Sequence, residues 1–284
     1  MILVADSGST KTDWFITDGE SLVKEFTTSG VNPMVQEKDL VYSHLSEIID
    51  EMDGIQIRNV RYFGAGCSEE SNKQIIRDSL GMLLGCSDIY VDNDLMGAAI
   101  SLFGDSPGIV SILGTGSNCC SYDGRQISDA RHGIGYILGD EGSGAYFGKI
   151  LVRDYLYNRL DEQLSTAIDD RFRLNRDQIL ERVYKASSPN RFLAGFATIL
   201  SEHMDNAYVM ELVHSGIDDF IHLNIRSYPE SEDLHSGFAG SVAYAFRKTI
   251  AERMDIAGLK IGSILKKPTD GLKDYYISTG SKTN

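Results

Sequence analysis

A short apolar strand that runs directly into a turn of glycine and hydroxyl residues occurs twice in this chain. The repeat narrows the folds open to it more than any other feature. Ile2-Leu-Val-Ala5 meets Asp6-Ser-Gly-Ser-Thr10, a second stretch of β-formers follows from Thr12 to Thr17, and Asp18-Gly19 closes the unit. Ile109 to Leu113 meets Gly114-Thr-Gly-Ser-Asn118, a second strand follows, and Asp123-Gly124 closes that unit. Asp-Gly is a type I′ hairpin signal, and the two Asp-Gly turns stand 105 positions apart. Turns of matching type in the same order indicate a duplicated α/β unit.

Between the repeats, strand and helix signals alternate. Leu22 to Thr28 is rich in β-formers, and residues 36–53 carry Val41, Leu45, Ile48, Ile49 and Met52 at helical spacing. Val60 to Phe63 reads as a strand ending in Gly64-Ala-Gly66. Ser71 with Gln74 resembles a capping box that opens a helix toward Leu84. Ile89 to Val91 ends at Asp92-Asn-Asp94. Residues 142–253 are mostly helical in pattern, with stretches near 174–186, 190–226 and 240–254. A chain of 284 residues suffices for two medium domains. The expected division is 1–107 and 108–284, with the last helix packing on the N-terminal domain.

Charge and composition exclude several functions. The 27 basic and 41 acidic residues leave a net charge of −14, which disfavours nucleic acid and anionic membrane surfaces as partners. No stretch approaches the ~20 apolar residues of a membrane span, and no basic segment precedes the first strand, so a cytoplasmic location is expected. Cys67, Cys86, Cys119 and Cys120 form no C-x-x-C pair and have no His cluster beside them, which reads as free thiols in a reducing compartment.

The chemistry-bearing residues cluster at the turns. A tight turn of small residues lets backbone N–H groups approach an anion. Ser7, Ser9, Thr10 and Thr12 add hydroxyls around Gly8, Lys11 adds a point charge, and Asp6 at the strand end could orient a hydrated Mg²⁺. No Walker A loop is present. Gly114, Thr115, Gly116 and Ser117 form the second such turn, and duplicated halves would grip a polyphosphate from both sides of a cleft. Asp94 ends a strand, where ligand-facing residues of α/β sheets lie, but it also opens an apolar helical stretch as an N-cap would. Asp140-Glu141, between glycines, reads by itself as a turn acid capping the next helix. Tyr136 and Trp14 are candidates for stacking on a ligand ring, but single aromatics beside strands are usually core.

With these segments in view, the chain resembles the BadF/BadG/BcrA/BcrD ATPase family and, within it, the N-acetylglucosamine kinases. The matching stretches are Asp6 to Asp13, Ser29 to Asn32, Asn93 to Ala98, Leu113 to Asn118, Gly133 to Ser143 and Gly237 to Ala243, in the family's order. The resemblance implies an α/β fold of two ribonuclease-H-like (actin-like ATPase) domains with an interdomain cleft. It implies ATP and Mg²⁺ as cofactors and phosphorylation of an amino sugar, N-acetyl-D-glucosamine foremost, at the C6 hydroxyl. It assigns Asp94 as catalytic base. It places Asn32, Asp94, Thr115 and Asp140 on the sugar, and Gly237, Gly240 and Ser241 on adenosine. Pro268 to Leu272 resembles the family's closing segment. The implied partners are a small-molecule sugar and ATP, with a homodimer the one macromolecular association envisaged. Two alternatives stand beside it: a kinase for glucosamine or another hexose, and an ATP-driven dehydratase activator. Family members of the second kind hold an iron–sulfur cluster through cysteines, and no two cysteines here are placed for that.

Overall fold

Ile2 to Ala5 is an unbroken apolar run because its strand is central and covered on both faces, and all four side chains are buried. The computed structural model describes residues 1–8, 10–130 and 133–278. The chain divides into two compact units. Unit 1 comprises residues 1–106, 124–127 and the chain from 267 onward; unit 2 comprises 107–123 and 128–266.

Unit 1 begins with β1 (Ile2–Ser7), β2 (Lys11–Thr17) and β3 (Leu22–Ser29), followed by α1 (Lys38–Ser46) and α2 (Ile48–Glu51). It continues with β4 (Asn59–Gly64), α3 (Glu70–Leu84), β5 (Asp88–Asn93) and α4 (Asp94–Phe103). Unit 2 holds β6 (Gly108–Leu113) and β7 (Ser117–Tyr122), and β8 (Ile127–Asp129) follows. Then come α5 (Gly135–Leu138), α6 (Gly144–Leu156), α7 (Glu162–Phe172), α8 (Arg176–Tyr184), α9 (Pro189–Gly195), α10 (Ala197–Glu202) and α11 (Ala207–Leu223). The chain ends with β9 (Ser236–Ala239), α12 (Ser241–Ala245), α13 (Arg247–Ile256), β10 (Ile261–Leu265) and α14 (Pro268–Ser278).

Each sheet has five strands, ordered β3-β2-β1-β4-β5 and β10-β9-β6-β7-β8. Reading the second from its other edge gives the first, with β6 in the place of β1. In both, the first two strands pair antiparallel and the later ones add in parallel. Each unit has its own core: Leu3, Trp14, Leu45, Val60, Tyr62 and Leu80 in unit 1, and Phe147, Leu151, Phe196, Val213, Phe220 and Phe238 in unit 2. Trp14 is a core residue, with its indole N–H donating to Thr28 Oγ1 at 2.8 Å.

Several local expectations are corrected. The helix predicted over 36–53 is two helices, broken at Glu47, whose carboxylate turns aside to accept the Ser29 N–H at 2.8 Å. Ser71 and Gln74 form no capping box: the N-cap of α3 is Glu69, two residues earlier, without a side-chain cap, and Gln74 donates instead to Asp78. Strands β9 and β10 and helix α7 had no sequence signal strong enough to register. Both strands are short and contain glycine, which weakens β-propensity. Among the described residues no helix is long and apolar enough to cross a membrane.

Candidate active site

Strand register assembles the first cluster. β1 pairs with β2 so that Asp6 lies opposite Asp13 and Ser7 opposite Thr12. It pairs with β4 so that Ser7 meets Gly64, and Gly64 in turn meets Asn93 of β5. Asp6, Gly64 and Asp94 therefore come to one edge, at the carboxyl ends of the parallel strands, where ligands of α/β sheets bind.

The first hairpin is fastened from within. The Gly8 N–H donates to Lys11 O at 3.0 Å, and the Gly30 N–H donates to Thr10 O at 3.1 Å. The hydroxyls of Ser7 and Thr12 share a 2.7 Å hydrogen bond, wholly buried, and reach on to the carbonyls of Val31 and Ser29. These two hydroxyls hold the turn together. Gly8, Thr10 and Lys11 remain on the exposed side. An added Cβ at Gly8 would meet only Lys11 O, at 3.7 Å, so the turn is open there. Ser9 lies outside the described residues.

Beside this turn Asp6 lies within electrostatic reach of two other carboxylates, Asp94 and Asp13. Burial first, then the charges of Asp94 and Asp13, push the Asp6 carboxyl up to about 7, against the pull of Lys11 and Lys267. Burial also raises the Asp94 carboxyl. The N-cap of α4 is Asn93, whose side chain accepts the Met96 N–H at 2.9 Å. Asp94 is thus the first helical residue and not the cap, and its carboxylate accepts the adjacent Leu95 N–H at 3.1 Å. Asn32 sits in the loop after β3. Its side-chain oxygen accepts the Met34 N–H at 3.1 Å, and it packs against Gly66 so closely that a Cβ there would overlap it.

In unit 2 the second hairpin is built on different supports. Gly114 N–H bonds to Gly116 O at 2.9 Å, and the first N–H groups of α6 dock on the turn: Gly144 to Gly114 O and Ala145 to Thr115 O. Asp140 adopts a left-handed backbone (φ 59°), which costs a non-glycine residue strain. Its carboxylate accepts the Ser117 N–H, and burial raises its proton affinity. It also fills the space beside Gly116, where a Cβ would lie 2.7 Å from its Oδ2. Asp140 does not cap α6; Ser143 does, accepting the Tyr146 N–H at 3.1 Å. Thr115 is exposed at the tip, and Ser117 is buried.

The remaining segment separates into strand and strand end. Gly237 is buried inside β9, paired with Val110. Gly240 follows the strand end with φ 121°, and a Cβ there would strike the Leu113 carbonyl. Ser241 opens α12 and is exposed. Two functional features escaped the sequence reading. Asn93 and Ser143 carry recognisable N-cap signals, each a short polar residue before an apolar helical run. Lys267 and Asp13 carry no such signal, because their meeting depends on tertiary structure.

No family model matches the chain. A solved structure from Porphyromonas gingivalis, provisionally named an N-acetylglucosamine kinase, is 40% identical, covers 98% of this chain and 99% of its own, and superposes with a TM-score of 0.92. A Clostridium acetobutylicum N-acetylmuramic acid/N-acetylglucosamine kinase is 33% identical over 134 residues. That match spans 46% of this chain and only 41% of the curated relative. A ROK family glucokinase from Streptomyces griseus, solved with glucose and AMPPNP, covers 99% of both chains at 13% identity and a TM-score of 0.60, which speaks to the fold alone. The duplicated sheets are those of the two-domain actin-like ATPase fold, and the chain belongs to the family of the Porphyromonas protein, the N-acetylglucosamine kinases.

Proposed function

We propose that the protein transfers a phosphoryl group from ATP to the C6 hydroxyl of an amino sugar, N-acetyl-D-glucosamine foremost. The observation that carries this reading is Asp94. It stands at the carboxyl-end edge of the first sheet, is relieved of helix capping by Asn93, and has its proton affinity raised by burial. A general base for a sugar hydroxyl needs such a carboxylate. Asp140 and Asn32 would accept and donate hydrogen bonds to ring hydroxyls, and Thr115 would lie near the sugar. The half-buried Asp140 carboxylate beside Gly116 of the second turn supports this.

The open face of Gly8 and the exposed turn at Gly114, where a Cβ would meet nothing within 4 Å, suit the close approach of phosphate oxygens. Gly240 and Ser241 would hold the adenosine part. Among the described residues no three His, Cys, Asp or Glu side chains are grouped to bind a metal directly. Asp6 would therefore hold Mg²⁺ through water, and a nearby cation would relieve its crowding by Asp94 and Asp13. Bound Mg²⁺ would neutralise phosphate charge. A cytoplasmic location is proposed with this activity, since that is where ATP is available. The test is a coupled kinase assay with ATP and Mg²⁺ over N-acetylglucosamine, glucosamine, N-acetylmannosamine, glucose and N-acetylmuramic acid. Highest kcat/KM on N-acetylglucosamine is expected, and no turnover on any of these sugars overturns the proposal.

A further inference from the structure

Beside the first hairpin two ammonium groups share one carboxylate. Lys11 Nζ lies 2.6 Å and Lys267 Nζ 3.2 Å from Asp13 Oδ2, while Thr27 donates to the other oxygen at 2.9 Å. Burial would raise the Asp13 carboxyl, but these hydrogen bonds outweigh it and hold the group below the usual carboxylate range. The two lysines are also near enough to interact with each other. Two ammonium groups thus converge on one carboxylate, and both also act on Asp6. Asp13 is only 13% exposed, whereas the lysines are 50% and 46% exposed, so both ammonium groups lie on the open side.

The face is the informative part. Asp13 lies directly opposite Asp6 in the β1–β2 ladder, so both side chains emerge on one side of the sheet, and Lys11, two residues from Asp13, emerges there as well. Lys267 reaches the same spot from the far end of the sequence, at the residue where the chain returns to unit 1 before α14. A merely structural ion pair needs one lysine. A second one, crowded against the first at the mouth of an open glycine turn, is the arrangement an anionic ligand stabilises.

We propose that Lys267 is a second cation for the nucleotide polyphosphate, held in position by Asp13 and acting with Lys11 at the first hairpin. The inference rests on the kinase reading above. It makes Asp13 a positioning residue and Lys267 a binding residue, and it assigns the start of α14 a direct part in holding ATP.

The experiment compares wild type, Lys267→Met and Lys267→Arg by calorimetry with ATP, ADP and adenosine in the presence of Mg²⁺, at low and high salt, with thermal melting alongside. Loss of a charge-assisted hydrogen bond predicts about a tenfold or greater rise in Kd for ATP and ADP in Lys267→Met. Adenosine affinity should be unchanged, salt dependence should be shallower, and the arginine variant should recover most of the loss. A folded Lys267→Met protein with ATP affinity within about twofold of wild type overturns the inference, as does an equal loss for adenosine, which would mark a structural effect through α14. Wild-type turnover is measured in parallel. Turnover on sugar with an unaffected variant defeats this inference alone, whereas a wild type that binds ATP but phosphorylates no sugar defeats the kinase reading and leaves Lys267 to the affinity data.

Discussion

The two hairpins share a topology and differ in what holds them. The first carries its own charges: Asp6, Lys11 and Asp13 are on its strands, and its turn is locked by the buried Ser7–Thr12 hydroxyl pair. The second, Gly114 to Ser117, has no charged residue of its own. Its turn is clamped by the start of α6, and its charge is supplied by Asp140 from a separate loop. The two hairpins share a backbone plan and draw their charge from different places, the strands in the first and a separate loop in the second. On the proposed reading, the first hairpin would meet the polyphosphate with charges of its own, and the second would meet it through backbone N–H groups, with Asp140 beside it for the sugar.

The largest effect expected from breaking this division is at Asp94. Asp94→Asn should lower kcat about 10²-fold or more with ATP affinity nearly unchanged. Asn93→Ala should mainly cost stability, about 1 kcal/mol for a lost cap. Steady-state kinetics and melting of the pair separate base from cap, and near wild-type turnover in Asp94→Asn would sink the assignment.

Next in size is Asp140→Ala. Removing a charge-assisted hydrogen bond should raise sugar KM roughly 10- to 150-fold while the KM for ATP holds steady. Ser143→Ala is the matched control for helix capping, with a loss of about 1 kcal/mol and ordinary sugar kinetics. If both variants behave alike, the second hairpin has no dedicated sugar anchor.

A smaller but sharper contrast uses one methyl group on each turn. At Gly116 it would press on Asp140 Oδ2, whereas at Gly8 it has room. Gly116→Ala should therefore raise sugar KM by up to about tenfold, as a partly displaced hydrogen bond would. Gly8→Ala should leave sugar KM alone and confine any penalty to ATP. Identical kinetic profiles for the two variants would mean that the hairpins are not specialised.

The smallest effect is a pH dependence confined to unit 1. The Asp6 carboxyl stands at about 7 in the folded protein against 3.8 in a free chain. The folded state therefore binds the proton more tightly, and stability falls as pH rises between these values. In metal-free buffer, Asp6→Asn should melt higher than wild type above pH 7 by a few degrees. The gap should open from about pH 4 and level off near 7. A constant offset across that range would show that Asp6 is not crowded by its neighbours.

The duplication and the two glycine turns were legible because backbone demands fix residue types: glycines at tight turns, apolar runs in central strands, Asp-Gly at hairpin closures. Asp94 and Asp140 were legible only as ambiguous acids before helices. Their release from capping is visible once Asn93 and Ser143 are seen to take that role. Gly237 and Gly240 read alike in the sequence, but only Gly240 has the backbone angle and the close carbonyl that require glycine. Lys267 was beyond reach, since a lysine 254 positions from Asp13 becomes its neighbour only through the return of α14.

That return has a consequence for how the protein is made. Helix α14 covers α4: Leu272 and Tyr276 are buried, Tyr275 bonds to Asp105 at 2.9 Å, and Gly271 lies so close to Ser101 that no side chain would fit. About 160 residues separate the first stretch of unit 1 from this helix. At ~5–20 residues per second, synthesis leaves α4 bare for roughly 8–30 seconds. A ribosome-stalled chain ending before Lys267 should then show proteolytic cutting near α4 that a longer chain resists, and equal protection in both would contradict this. The domain that emerges first is the one completed last, so during translation its nascent surface is a target for chaperones until the final helix arrives.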